Sequence, residues 1–122
     1  MVKLIFCLRR RPELSLEEFQ AYWRDVHAPL VRSVAPALGI VRYVQSHTTS
    51  HPDLGNILAA RGVSRPPFDG VAELWWDSAE ALLAAGATEQ ASAAARTLYE
   101  DEQRFIDLER SELLFAEENQ VV

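Results

Sequence analysis

The sequence offers few of the usual devices for crosslinking, membrane insertion or metal binding. It contains one cysteine, Cys7, so no internal disulfide can form. That thiol sits inside an apolar run and reads as buried and inert. The hydrophobic stretch after Met1 is broken by charge at Arg9, which leaves neither a signal-peptide layout nor a membrane span. A cytoplasmic location is therefore expected. Basic residues number 12 against 18 acidic ones, for a net charge of −6. The run Arg9-Arg10-Arg11 is short and isolated, so no basic stripe marks the chain as a nucleic-acid binder. The three histidines and the cysteine lack ligand spacing, so no metal site is expected. Phosphate loops, dinucleotide glycine fingerprints and Gly-x-Ser-x-Gly elbows are absent too. No cofactor is expected.

What is present is a globular composition. Hydrophobic residues make up 48% and charged residues 25%, enough apolar material for one domain spanning 1–122. Val2, Leu4, Phe6 and Leu8 alternate with Lys3, Ile5 and Cys7, which predicts a strand. Ser15 and Glu18 form a capping box that opens a helix. At helical spacing Leu16, Phe19, Trp23, His27 and Leu30 share one stripe, and Pro29 predicts an end or kink at His27. A further apolar segment from Leu30 to Leu38 stops at Gly39, a natural C-cap. Residues 40–47 and 71–76 predict strands, residues 79–85 and 92–107 helices, and residues 112–116 a last strand. Residues 48–68 read as a long loop, with one helical turn over 54–60 and the role of a lid, binding loop or dimer arm.

The order β-α-β, loop, β-α-β is the split βαβ arrangement. It predicts an α+β, ferredoxin-like fold: a four-stranded antiparallel sheet with helices on one face. The other face would carry residues such as Ile5, Cys7, Tyr43 or Val71, depending on register. An apolar face of that extent calls for a partner, and sheet-to-sheet pairing in a homodimer is the economical one.

Chemistry centres on the histidines and aromatics. His27, on the stripe with Trp23 and Phe19, points between helix and sheet. It reads either as a hydrogen-bonded core histidine or as a general acid/base at a pocket. Tyr22 stands at the pocket edge, and His47 faces either the cleft or solvent. Trp75 and Trp76 project to opposite faces, so one meets the helices. Glu73 needs a partner if buried, with Lys3, Arg42 or a histidine as candidates.

Phe19-x-x-Tyr22-Trp23-x-x-x-His27-x-Pro29, Arg42-Tyr43-Val44-Gln45, Phe68-Asp69-Gly70-Val71-Ala72-Glu73-Leu74-Trp75 and Asp101-Glu102-x-x-Phe105-Ile106-Asp107 occur in one order along the chain. In this ordered set the chain resembles the EthD family of the dimeric α/β-barrel superfamily. The resemblance implies a homodimer of ferredoxin-like subunits with a cavity between sheet and helices, and His27 acting in that cavity. A small apolar or aromatic ligand is expected there, with Phe19, Trp23, Tyr43, His47 and Trp75 around it. The preferred expectation is a cofactor-independent lyase or isomerase for a small aromatic or polyketide-like molecule, with His27 moving the proton and Tyr22 or His47 orienting a carbonyl or hydroxyl group. The alternatives are a non-catalytic dimeric accessory protein of a catabolic oxidation pathway and a cofactor-free or haem-linked oxygenase.

Overall fold

Apolar side chains at every second residue, and at helical spacing between those runs, fold into four strands and five α-helices in the computed structural model, which describes residues 1–122. The elements are β1 (Val2–Leu8), α1 (Leu16–Tyr22), a π-helical turn (Trp23–His27), α2 (Ala28–Leu38), β2 (Arg42–His47), α3 (Pro52–Ala60), β3 (Gly70–Trp76), α4 (Ala79–Gly86), α5 (Glu89–Glu102) and β4 (Glu112–Glu117). The sheet order is β2-β3-β1-β4, with every neighbouring pair antiparallel. β3 therefore lies between β1 and β2, which is the ferredoxin-like topology.

Local chemistry places the helix ends. Ser15 Oγ accepts from the Glu18 N–H at 3.0 Å, and Glu18 Oε1 accepts from the Ser15 N–H at the same distance. Ser78 and Thr88 cap α4 and α5 by accepting from the N–H groups of Ala81 and Ala91. Gly39 closes α2 with φ of +72°, a left-handed conformation that suits glycine. α5 starts at Glu89 rather than Ser92 because Thr88 supplies the cap. It stops at Glu102, after which Ile106 turns in to bridge Arg10.

Register decides what each sheet face carries. Leu4, Leu74 and Tyr43 lie side by side, as do Phe6, Ala72 and Gln45, on the face beneath the helices. The core there contains Val2, Leu8, Phe19, Trp23, Ala72, Leu74, Trp76, Phe105 and Ile106. Phe19, Trp23 and Phe105 have no solvent exposure, and each such side chain contributes about 1.5–3 kcal/mol on burial. Tyr43 belongs to this face, not to the open one.

The open face is mixed rather than uniformly apolar. Ile5, Cys7, Val44, Val71 and Leu114 form an apolar band beside a charged end. At that end Lys3 Nζ meets Glu73 Oε2 at 2.6 Å, so lysine is the partner of Glu73. Trp75 is buried between Lys3 and Arg42, whose cationic groups lie 5.2 and 4.5 Å from its ring. Its indole N–H donates to Glu118 Oε1 at 2.9 Å.

Within residues 48–68 the chain forms a full helix, α3, rather than a single turn. His51 Nδ1 accepts from the Asp53 N–H at 3.2 Å, and Pro52 occupies the first turn. Leu54, Ile57 and Leu58 on this helix are exposed. No helix is long and apolar enough to cross a membrane.

Candidate functional site

Proline 29 shapes the centre of the site. It has no N–H, and in a regular α-helix its ring would press on the carbonyl four residues earlier. The helix neither ends nor breaks there. It widens by one residue, and the Ala28 N–H bonds to the Trp23 carbonyl five positions back. Such π turns recur at functional sites because they redirect side chains without ending the helix. This one carries Trp23 and His27, both buried.

Between the helices and the sheet lies a cavity of about 200 Å³. Leu4, Phe6, Ala72, Leu74 and Trp76 form its sheet side, and Trp23, Val31, Leu38 and Leu98 stand among its helical walls. The titratable side chains on its lining are His27, Tyr43 and Glu102; no lysine or arginine borders it.

His27 is 5% exposed, and its Nδ1 lies 2.7 Å from Oδ2 of Asp101, itself 4% exposed. Asp101 Oδ1 accepts from the Tyr22 hydroxyl at 2.6 Å, with the Arg104 guanidinium 3.5 Å away. A carboxylate on Nδ1 places the ring proton there and leaves the Nε2 lone pair free. Burial pushes His27 below its ordinary 6.5, and Asp101 pulls it back only in part. The imidazole is thus neutral at pH 7 and suited to accept a proton.

A second chain of hydrogen bonds aims Tyr43. Gln45 Nε2 donates to the Tyr43 hydroxyl oxygen and to the Trp23 carbonyl, each at 2.9 Å. Gln45 Oε1 accepts from His47 Nε2 at 2.8 Å. With one lone pair of its oxygen occupied by Gln45, the Tyr43 hydroxyl keeps its proton to donate into the cavity. Burial pushes Tyr43 above its ordinary pKa, which preserves that donor.

The candidates therefore separate by position. His27, Trp23 and Tyr43 line the cavity. Tyr22 does not; it braces Asp101. His47 stacks on Trp23 with ring centroids 4.5 Å apart and braces Gln45, while its own Nδ1 is buried without a partner. Phe19 packs behind Trp23 and Phe105, at 5.6 Å from each. Trp75 is a correction: it lies across the sheet, and the strand tryptophan that walls the cavity is Trp76. The parity of β3 puts adjacent residues on opposite faces, and pairing of Trp76 with Val2 sends Trp76 inward.

Asp101 and Glu102 stood in the ordered motif set but not among the candidate site residues, because they sit in an acidic run that reads as a solvated helix face. The available signal was spacing. Asp101 lies three residues after Leu98 and four before Phe105, on the apolar stripe, and Glu102 lies four after Leu98 and four before Ile106. No cluster of three or more His, Cys, Asp or Glu side chains suited to a metal ion occurs in the structure.

Comparison with known proteins follows the same lines. The sequence model described as the EthD domain matches residues 11–109. Among solved structures, an ethyl tert-butyl ether d (EthD) family protein from Bacillus halodurans C-125 is 24% identical. The two superpose with a TM-score of 0.63 over 98% of this chain and 99% of that one. A dimeric protein of unknown function and ferredoxin-like fold from Bacteroides fragilis is 9% identical, with a TM-score of 0.57 over 95% and 94% of the chains. SnoaB from Streptomyces nogalater, described as a cofactor-independent oxygenase, is 16% identical, with a TM-score of 0.54 over 99% and 95%. No curated protein matches the sequence. These likenesses agree with the observed topology, and the family match covers most of the chain, so the protein belongs to the EthD family.

Proposed function

We propose that this protein is a cofactor-independent lyase or isomerase that moves a proton on a small aromatic or polyketide-like molecule. One observation carries the proposal: a neutral imidazole, held by a buried carboxylate, borders an apolar cavity with its second nitrogen unoccupied. His27 Nε2 would take a proton from a carbon beside a carbonyl. Tyr43 would donate to the carbonyl oxygen as charge develops there, and Asp101 would stabilise the imidazolium. Tyr22 and His47 take supporting parts in this scheme, and Trp23 and Trp76 hold the ring.

The rival is a binding or accessory protein in which His27 merely satisfies Asp101, a reading favoured by the apolar lining. Incubating keto- and hydroxy-substituted single-ring compounds with the protein in D2O separates the two. Wild type is expected to exchange deuterium into the position beside the carbonyl, and His27→Ala to slow that exchange by about 10²–10⁴-fold. If His27→Ala lowered thermal stability and left exchange untouched, the binding role would stand instead.

A homodimer paired through the open sheet face fits the apolar band of Ile5, Val44, Val71 and Leu114. Leu114 is 47% exposed in the single chain, so a charge there is tolerated by the monomer but not by a packed interface. Sedimentation should show Leu114→Asp sedimenting as a folded monomer while wild type sediments as a dimer. A monomeric wild type would exclude this pairing.

A further inference from the structure

We propose that Glu102 acts as an uncharged carboxylic acid, a second catalytic residue beside His27, and that the cavity takes an uncharged ligand built on one aromatic ring. The proposal rests on the proton-transfer reading above and deepens it.

Two adjacent acids close α5, and their surroundings could hardly differ more. Asp101 gathers Tyr22, His27 and Arg104 around its carboxylate. The Glu102 carbonyl accepts from the N–H groups of Phe105 and Ile106, but its carboxyl has no hydrogen-bond partner in the protein and borders the cavity instead. The titratable groups around it are His27 from the π turn, Tyr43 from β2 and Asp101 from its own helix, none of which supplies a positive charge at neutral pH. An unpaired carboxyl beside a carboxylate in an apolar cavity favours its neutral form. In agreement, burial first and Asp101 second push Glu102 from 4.5 up to about 7.

A neutral carboxyl is a hydrogen-bond donor, and Tyr43 offers another on the same cavity. A carbonyl oxygen between them would be activated from both sides. As His27 Nε2 takes a proton from the neighbouring carbon, that C–H pair becomes the enol double bond. The carbonyl π pair then forms an O–H bond with the proton leaving Glu102. Imidazolium and carboxylate result, and the reverse transfers at a different carbon restore both groups and complete an isomerisation.

Size and charge set the ligand class. An apolar cavity of 150 Å³ accommodates benzene, so about 200 Å³ suits one substituted ring. With no lysine or arginine on the lining, an anionic ligand would be buried without a counter-ion.

The test uses full-length protein with ¹³C-labelled glutamate, Glu102→Gln for assignment, and p-cresol and 4-methylbenzoate as probes. The Glu102 carboxyl should titrate near 7, and p-cresol should shift its signal. p-Cresol should bind at least about tenfold more tightly than 4-methylbenzoate at about pH 6, and lose about tenfold by about pH 8.5. Glu102→Gln should abolish that pH dependence. It should also match wild type in melting temperature near pH 4.5 and exceed it progressively through pH 7. The raised value of Glu102 means that the unfolded chain releases this proton first across that window. Titration in the ordinary carboxylate range, equal binding of the two probes, no binding of p-cresol, or pH dependence surviving in Glu102→Gln would each overturn the proposal. Any of these, with deuterium exchange still dependent on His27, would leave the proton-transfer reading standing.

Discussion

Asp101→Asn is expected to slow proton exchange by about 10²–10⁴-fold while leaving the cavity in place. An amide of the same shape offers one acceptor where the carboxylate offers two. Asp101 is 4% exposed and receives Tyr22 and His27 on separate oxygens, so one of those donors must lose its partner or face an N–H. If His27 turns to the other tautomer, the proton moves to Nε2 and the base is blocked. The variant should also lose about 1–3 kcal/mol of stability, the usual consequence of an unsatisfied buried polar group. ¹⁵N chemical shifts of the His27 ring report the tautomer directly, and denaturant melts report the stability. Tyr22→Phe is the companion: it removes one donor from Asp101 and leaves the His27 contact, so the tautomer and most of the exchange should survive. Unchanged exchange in Asp101→Asn would remove the carboxylate from the mechanism.

Gly70→Ala is expected to cost about 1–3 kcal/mol although it adds only one methyl group. A Cβ at Gly70 would run into the six-membered ring of Trp23, and would lie 3.1 Å from the Ser46 carbonyl. Neither neighbour can yield easily. Trp23 is fully buried between Phe19 and His47, and Gly70 is held in β3 opposite Leu8 and His47. Trp23 also walls the cavity, so the displacement that relieves the overlap should weaken p-cresol binding as well. Gly86→Ala is the control. Nothing lies within 4 Å of its Cβ position at the end of α4, and it should match or slightly exceed wild type. Denaturant melts with tryptophan fluorescence distinguish the two. Equal stability of Gly70→Ala and wild type would contradict the close packing of Trp23 on β3.

Where the determining contact is local, the fold was legible from residue order. Alternation over Val2–Leu8 marked the strand, Ser15 with Glu18 marked the start of α1, and Gly39 marked the end of α2, because each signal spans a few neighbouring residues. Helix ends without a single dominant signal were less legible. Composition sets the last helix at residues 92–107, yet Thr88 caps α5 and starts it at Glu89, and Pro29 announces a break that a π turn absorbs.

The site was legible on one side only. Spacing alone set His27 on the stripe with Trp23 and Phe19, because all three lie within a few turns of one helical stretch. It could not show that Asp101, 74 residues away, would receive the imidazole proton. Nor could the paired tryptophans of β3 reveal which one faces the helices. Alternation fixes that two neighbours face opposite ways, while pairing with β1 and β2 decides which way each points. Short-range chemistry thus wrote the elements and the family into the residue order, and long-range packing alone brought a carboxyl group, an imidazole and a phenol around one apolar space.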